Sequence, residues 1–185
     1  MAARPGPRGS MGRTSAASAA LAAAIFFTAG RAAAACADEP RLRALDFWIG
    51  RWTVSWYGEF VGHNVIEKAL DGCAVTERWL DFRGRAAFSL FWYDRNEDRW
   101  KQVFLTDRAL EVGATKEKAE ATLLTTPHRV RFQGSYPGRE NGKIIDDRTT
   151  LTLEAPDHVR QHIEISTDGG KTWHTTFDGE YRRAD

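Results

Sequence analysis

From residue 50 to the end of the chain, apolar side chains recur at every second position, the spacing of strands that bury one face. Trp52, Val54 and Trp56 open the series in a strand over 51–57, which the loop around Gly58 and Gly62 ends. Residues 63–70 follow, and Asp71-Gly72 is a two-residue hairpin signal. In 73–82, Cys73, Val75, Glu77 and Trp79 share a face, and Arg83-Gly84 turns the chain. Residues 85–93 are apolar on both faces, as in a central strand, and 94–98 form a polar turn. The next strand, 99–106, aligns Trp100, Gln102 and Phe104. The pattern over 109–125 predicts two short strands around Lys116-Glu117-Lys118, and 128–134 alternates basic with apolar residues. A loop from Ser135 to Gly142 precedes a Thr-rich strand, 143–154, closed by Ala155-Pro156-Asp157. Val159, Gln161, Ile163 and Ile165 alternate along 159–166, and Thr167-Asp168-Gly169-Gly170 leads to a last strand, 171–182.

Before residue 50 the period is helical. Asp38-Glu39-Pro40 has a capping residue and an early proline, with Leu42, Leu45 and Ile49 along one face. This predicts a short helix that stops at Gly50. Short turns and the lack of helical crossovers exclude a parallel α/β fold. The expected fold is all-β: an antiparallel up-and-down barrel of nine to ten strands with a short N-terminal helix, since closure removes exposed edges. Leu45 to Trp56 holds three tryptophans within nine residues and reads as the packing anchor where the first strand enters the barrel.

The first 35 residues read as an export signal rather than as fold. Arg4, Arg8 and Arg13 precede a short apolar run, Ala16 to Ala29, and Ala33-Ala34-Ala35 stands before Cys36. The run is too short and Ala-rich for a membrane span, which needs about 20 residues. Removal of four arginines from 26 basic side chains leaves 22 against 25 acidic ones, a net charge of −3 on residues 36–185. That balance argues against a nucleic-acid partner, which needs a concentrated basic face. The 150 residues from 36 to 185 suit one domain in the periplasm or outside the cell. Two fates compete for Cys36. In an oxidising compartment it pairs with Cys73, which loop-closure entropy makes worth roughly 3–4 kcal/mol. As the first residue after cleavage it is also where a lipid anchor would attach, leaving Cys73 unpaired.

Several segments, taken together, resemble a family of uncharacterised exported bacterial proteins with a lipocalin-like (calycin) barrel. They are Leu45-Asp46-Phe47-Trp48-Ile49-Gly50-Arg51-Trp52, Ile66-Glu67, Leu70-Asp71-Gly72-Cys73, Trp100-Lys101-Gln102 and Val159-Arg160-Gln161, with Ser166 to Trp173 and Phe177-Asp178-Gly179-Glu180-Tyr181. They span nearly all of residues 36–185, and 107–142 matches least. The resemblance implies the barrel and export; it carries no activity.

Ser166-x-Asp168-x-Gly170-x-Thr172-Trp173 also resembles the Asp-box turn of sialidase-type propellers, but one good copy in a chain of this length cannot build blades. It reads as a stabilised turn. His158 and His162 stand four apart on a strand, about 13 Å, too far to chelate one ion. His63, His128 and His174 are scattered and no zinc spacing occurs, so no metal and no resident cofactor are expected; His174 and His63 are the residues that could hold haem in a nitrobindin-type barrel. Nucleophile elbows and Gly-rich phosphate loops are missing. What remains is Glu77, Gln102 and Gln161, polar residues on apolar strand faces. Facing inward, they would pair with each other and water, or with a ligand. The candidate ligand-binding set is therefore Trp52, Trp56, Glu77, Trp79, Gln102 and Gln161, with Arg148 and Arg160 facing outward.

The first reading is an exported, non-catalytic barrel that binds a small apolar or amphipathic molecule. The alternatives are a calycin-type cyclase or isomerase using Glu77 as acid or base, a haem-binding barrel, and a structural or interaction domain with a filled core. Non-reducing peptide mapping of the exported protein is expected to find Cys36 joined to Cys73; a diacylglyceryl group on Cys36 would remove that bridge.

Overall fold

The computed structural model describes residues 1–2, 36, 39–121, 128–139 and 142–184. Residues 3–35, which carry nearly all of the export-signal reading, and the predicted cap Asp38 lie outside the described residues. Ten strands form one closed antiparallel barrel. In chain order they are β1 (Gly50–Trp56), β2 (Glu59–Ala69), β3 (Ala74–Asp81), β4 (Ala86–Asp94) and β5 (Arg99–Thr106), then β6 (Thr115–Glu120), β7 (Arg129–Pro137), β8 (Ile144–Ala155), β9 (His158–Ser166) and β10 (His174–Arg183). Each strand pairs with its neighbours in sequence, and β1 pairs antiparallel with β10 from Trp52–Arg183 to Ser55–Glu180. An up-and-down meander closes with an antiparallel seam only when the strand number is even, which is why ten, and not nine, is the count.

Several boundaries differ from the sequence pattern. The stretch 109–125 contributes a single described strand, β6, in which Lys116-Glu117-Lys118 is strand and not turn. The loop from Ser135 shrinks because β7 continues to Pro137. Around Asp71-Gly72 the turn has four residues, Leu70 to Cys73, with Leu70, Asp71 and Gly72 all at positive φ. The N-terminal helix is a pair of 3-10 turns, Pro40–Arg43 and Asp46–Trp48, with Glu39 accepting from the Arg41 backbone N–H. Leu45, at φ −102° and ψ 6°, separates them. Trp48 is fully buried, and Ile49 is only partly buried at the edge of the same core.

Leu45 and Trp48 are fully buried and stopper one end of the barrel. The Trp48 ring meets Phe91 edge-on at 5.7 Å, and its backbone carbonyl accepts from the Trp52 indole N–H at 2.9 Å. Trp100 donates its indole N–H to the Arg41 carbonyl oxygen (3.0 Å), and the Cys36–Cys73 disulfide ties the same segment to the β2–β3 turn. The reading of Leu45–Trp56 as an anchor thus holds: burying an aromatic of this size is worth roughly 3–5 kcal/mol. Inside the barrel, Val54, Ile66, Val75, Phe91, Phe132 and Leu151 continue the core.

One irregularity shapes the opposite end. Between Val54–Gly62 and Ser55–Phe60 the β1–β2 register shifts, leaving Val61 as the extra residue of a bulge. Past the bulge Val61 faces the lumen and Phe60 the exterior. Two glycines admit aromatic rings against the wall. A Cβ on Gly62 would lie 2.8 Å from the Trp79 indole, and one on Gly179 would lie 2.4 Å from the Phe177 ring.

The disulfide closes a loop of 37 residues. Replacing both Cys36 and Cys73 by alanine is expected to lower unfolding free energy by about 3–4 kcal/mol, read from urea midpoints at constant m.

Candidate functional site

β1 runs away from the Trp48 stopper, so the turns at 57–58, 82–85, 107–114 and 167–173 all lie at the other end. A cavity of about 360 Å³ lies on that side of the lumen. Its upper wall is apolar: Trp56, Val61, Trp79, Phe82, Phe104 and Phe177. Its floor is polar: Glu77, Gln102, Lys118, Thr149, Gln161 and Tyr181. Phe177 meets Trp56 at 5.5 Å and Trp79 at 6.2 Å, both edge-on.

Five of the six candidate residues from the sequence line this cavity. Trp52 does not: it is buried among the stopper residues, its N–H spent on Trp48. Two tryptophans on one strand face stand at different depths, about 13 Å apart over four residues.

The floor is a connected network that starts from Glu77, which is 6 % exposed. Asn64 Nδ2 donates to Glu77 Oε1 at 2.7 Å, and Ser89 Oγ donates to Oε2 at 2.7 Å. Gln102 Nε2 donates to Ser89 Oγ at 3.2 Å, while Tyr181 OH donates to Gln161 Oε1 at 2.7 Å and accepts from Asn64 at 3.3 Å. Gln102 and Gln161 therefore reach Glu77 through Ser89, Tyr181 and Asn64, not by direct pairing. Gln102 Oε1 is buried without a hydrogen-bond partner in the protein, as are Asn64 Oδ1 and the Trp56 indole N–H. Burial without a partner costs roughly 1–3 kcal/mol per group, a cost that a ligand or water can offset.

A second cluster was not foreseen. Lys118 and Lys116 on β6 both bond Asp147 on β8, Lys116 at 2.6 Å, and Lys118 also donates to Thr149 Oγ1 at 2.7 Å. The intervening β7 offers no side chain there. Gly134 pairs with Asp147 and runs so close to β6 that a Cβ would stand 2.0 Å from the Glu117 carbonyl oxygen. Both lysines reach across it.

Burial raises the Glu77 carboxyl above its ordinary value; the bonds from Ser89 and Asn64 and the charge of Lys118 pull the other way. Burial lowers the Lys118 amine, opposed by Asp147. Tyr181 is held well above its usual range by burial and by Glu77, so its hydroxyl is a neutral donor.

The remaining sequence candidates lie elsewhere. Arg148 and Arg160 form bidentate pairs with Glu164 and Asp178. His63 and His174 are exposed and outside the cavity lining, so neither is placed to hold haem within it. His158 contacts Glu180 and His162 bonds Thr175. Among the described residues, no three His, Cys, Asp or Glu side chains gather as a metal would need. Asp168 accepts from the Lys171 and Thr172 backbone N–H groups at 3.0 and 2.9 Å, as a turn-former does. Its carboxyl is held below the usual range by Thr172 first. No protein-family model matches the chain, and no curated protein matches it either.

The raised Glu77 value has a consequence for pH. Between 4.5, its value when unfolded, and its folded value, the native state holds more protons than the unfolded one. Stability from this group is complete below about 4.5 and is lost as pH rises through the folded value. Urea unfolding of wild type and Glu77→Gln at several pH values is expected to show that decline in wild type and a flatter profile in the variant.

Proposed function

We propose that this protein is an exported carrier or sensor barrel that binds one small amphipathic molecule in its lumen. The observation that carries the reading is the division of the cavity into an aromatic upper wall and a hydrogen-bonding floor. Ligand cavities combine apolar walls with a few convergent polar groups, and 360 Å³ lies at the small end of their range. A ligand entering from the open end would lay its apolar part against Trp56, Trp79 and Phe177 and bring its polar end to Gln102 and Gln161.

Export is supported by the basic, apolar and small-residue order of residues 1–35 and by the disulfide, which suits an oxidising compartment. With the Cys36 sulfur bonded to Cys73, no thiol remains there for a lipid thioether, which favours a soluble periplasmic or secreted form. The resemblance to exported lipocalin-like proteins points the same way. A second reading, a calycin-type isomerase, is favoured by one feature: a buried carboxyl, raised by burial, that lines the cavity.

Titration with the neutral fluorophore N-phenyl-1-naphthylamine is expected to give saturable, one-to-one binding. Val61 lines the upper wall, and Val61→Trp would fill that space. The variant is expected to weaken the fluorophore by at least about tenfold, roughly 1.4 kcal/mol, with near-UV circular dichroism unchanged. Unsaturable binding, or full affinity in the folded variant, would refute the luminal site.

A further inference from the structure

Four ionisable side chains lie in or against the lower cavity: Glu77 from β3, Lys118 from β6, Asp147 from β8, and Lys116, which stands opposite Phe104 one step nearer the mouth and reaches down to Asp147. The two ammonium groups share one carboxylate, since both lysines bond Asp147. Only the lysines of this trio line the cavity, whereas Asp147 lies behind them with its side chain 1 % exposed. The second carboxyl, Glu77, hydrogen-bonds the neutral Asn64 and Ser89 and neither lysine. At the rim Asp81 is paired with Arg85 at 2.9 Å, and Tyr181 is neutral. Lysine head groups are thus presented to the lumen while the acid that balances them is held away from it.

We infer that the luminal ligand is an amphipathic monoanion, an acid with one apolar body, whose head group lies against Lys116 and Lys118. This inference rests on the ligand-binding reading above and deepens it. A cation would meet two amines with their carboxylate withdrawn. An alcohol would leave their excess charge uncompensated. An anion supplies the missing acceptor for lysine N–H groups in a site where screening by water is weak, and charge-assisted bonds there exceed neutral ones. The Gln161 amide, whose oxygen is occupied by Tyr181, has its N–H groups for the same head group. Glu77 is the one other acid at the floor, and Asp81 nearer the mouth is balanced by Arg85, so protonation of Glu77 leaves no uncompensated negative charge on the lining. Binding of the anion and retention of the Glu77 proton therefore favour each other, a reciprocal coupling.

The test uses the full mature protein and three ten-carbon amphiphiles, decanoate, decanol and decyltrimethylammonium, each displacing N-phenyl-1-naphthylamine at neutral pH. Decanoate is expected to bind at least about tenfold more tightly than decanol, with the ammonium compound weakest. Lys116 is only partly buried, its side chain 20 % exposed, and Lys116→Gln is expected to fold and to erase most of that preference. A second measurement needs no lysine variant. The affinity of decanesulfonate, which stays anionic, is expected to fall as pH rises through the Glu77 titration, and Glu77→Gln is expected to remove that slope. Equal binding of the three amphiphiles, an undiminished preference in folded Lys116→Gln, or a slope unchanged in Glu77→Gln would overturn the inference. The first of these would leave the ligand-binding reading standing. If neither the naphthylamine nor any amphiphile binds, that reading itself fails.

Discussion

The hydrogen bond from the Trp52 indole to the Trp48 carbonyl fixes the stopper to the first strand, and the rest of the barrel is built around that end. A ten-stranded barrel without it would be open at both ends. With Leu45 and Trp48 fully buried, the lower lumen is core and only the upper part is available to a guest. The disulfide to the β2–β3 turn and the bond from Trp100 of β5 to Arg41 hold the same segment at two further points. The position of the cavity, and its division into floor and mouth, follow from this one closure.

Burial of charge is the second constraint. Four ionisable side chains in one interior are costly unless each has partners, and here each does: two neutral donors for Glu77, two lysines for Asp147, Asp147 and Thr149 for Lys118, and Asp147 for Lys116. Satisfaction is nearly complete but not total, since Gln102 Oε1 and Asn64 Oδ1 have no protein partner. A core built for stability alone would fill this volume with apolar side chains, as the lower lumen does with Val54, Ile66, Val75, Phe91 and Phe132. The polar floor is therefore the part of the interior that packing does not explain.

Alternation made Glu77, Gln102 and Gln161 legible, because each interrupts an apolar face and the interruption is visible in the sequence. Alternation failed where neighbours on both faces are charged. In Lys116-Glu117-Lys118 the inward and outward residues look alike, so a strand reads as a turn. Asp147 was hidden for a related reason, lying in a strand rich in threonine and acid on both faces. Its partnership with β6, two strands away, depends on Gly134 in the intervening β7, and a single sequence gives no sign of that reach. Asn64 sits between Gly62 and Ile66 on the lumen face, and that spacing could have revealed it. Depth was not legible at all. Trp52 and Trp56 share a face, yet only the stopper decides which of them meets the cavity.

The rings of Trp79 and Phe177 pack against the backbone at Gly62 and Gly179, where a Cβ would collide with them, and they meet each other edge-on. Each ring thus has main chain on one side and the other ring alongside. Neither ring has room to fold back onto the wall behind it. For the proposed carrier this would make the cross-section of the molecule, together with the connecting turns above, the test of what can enter.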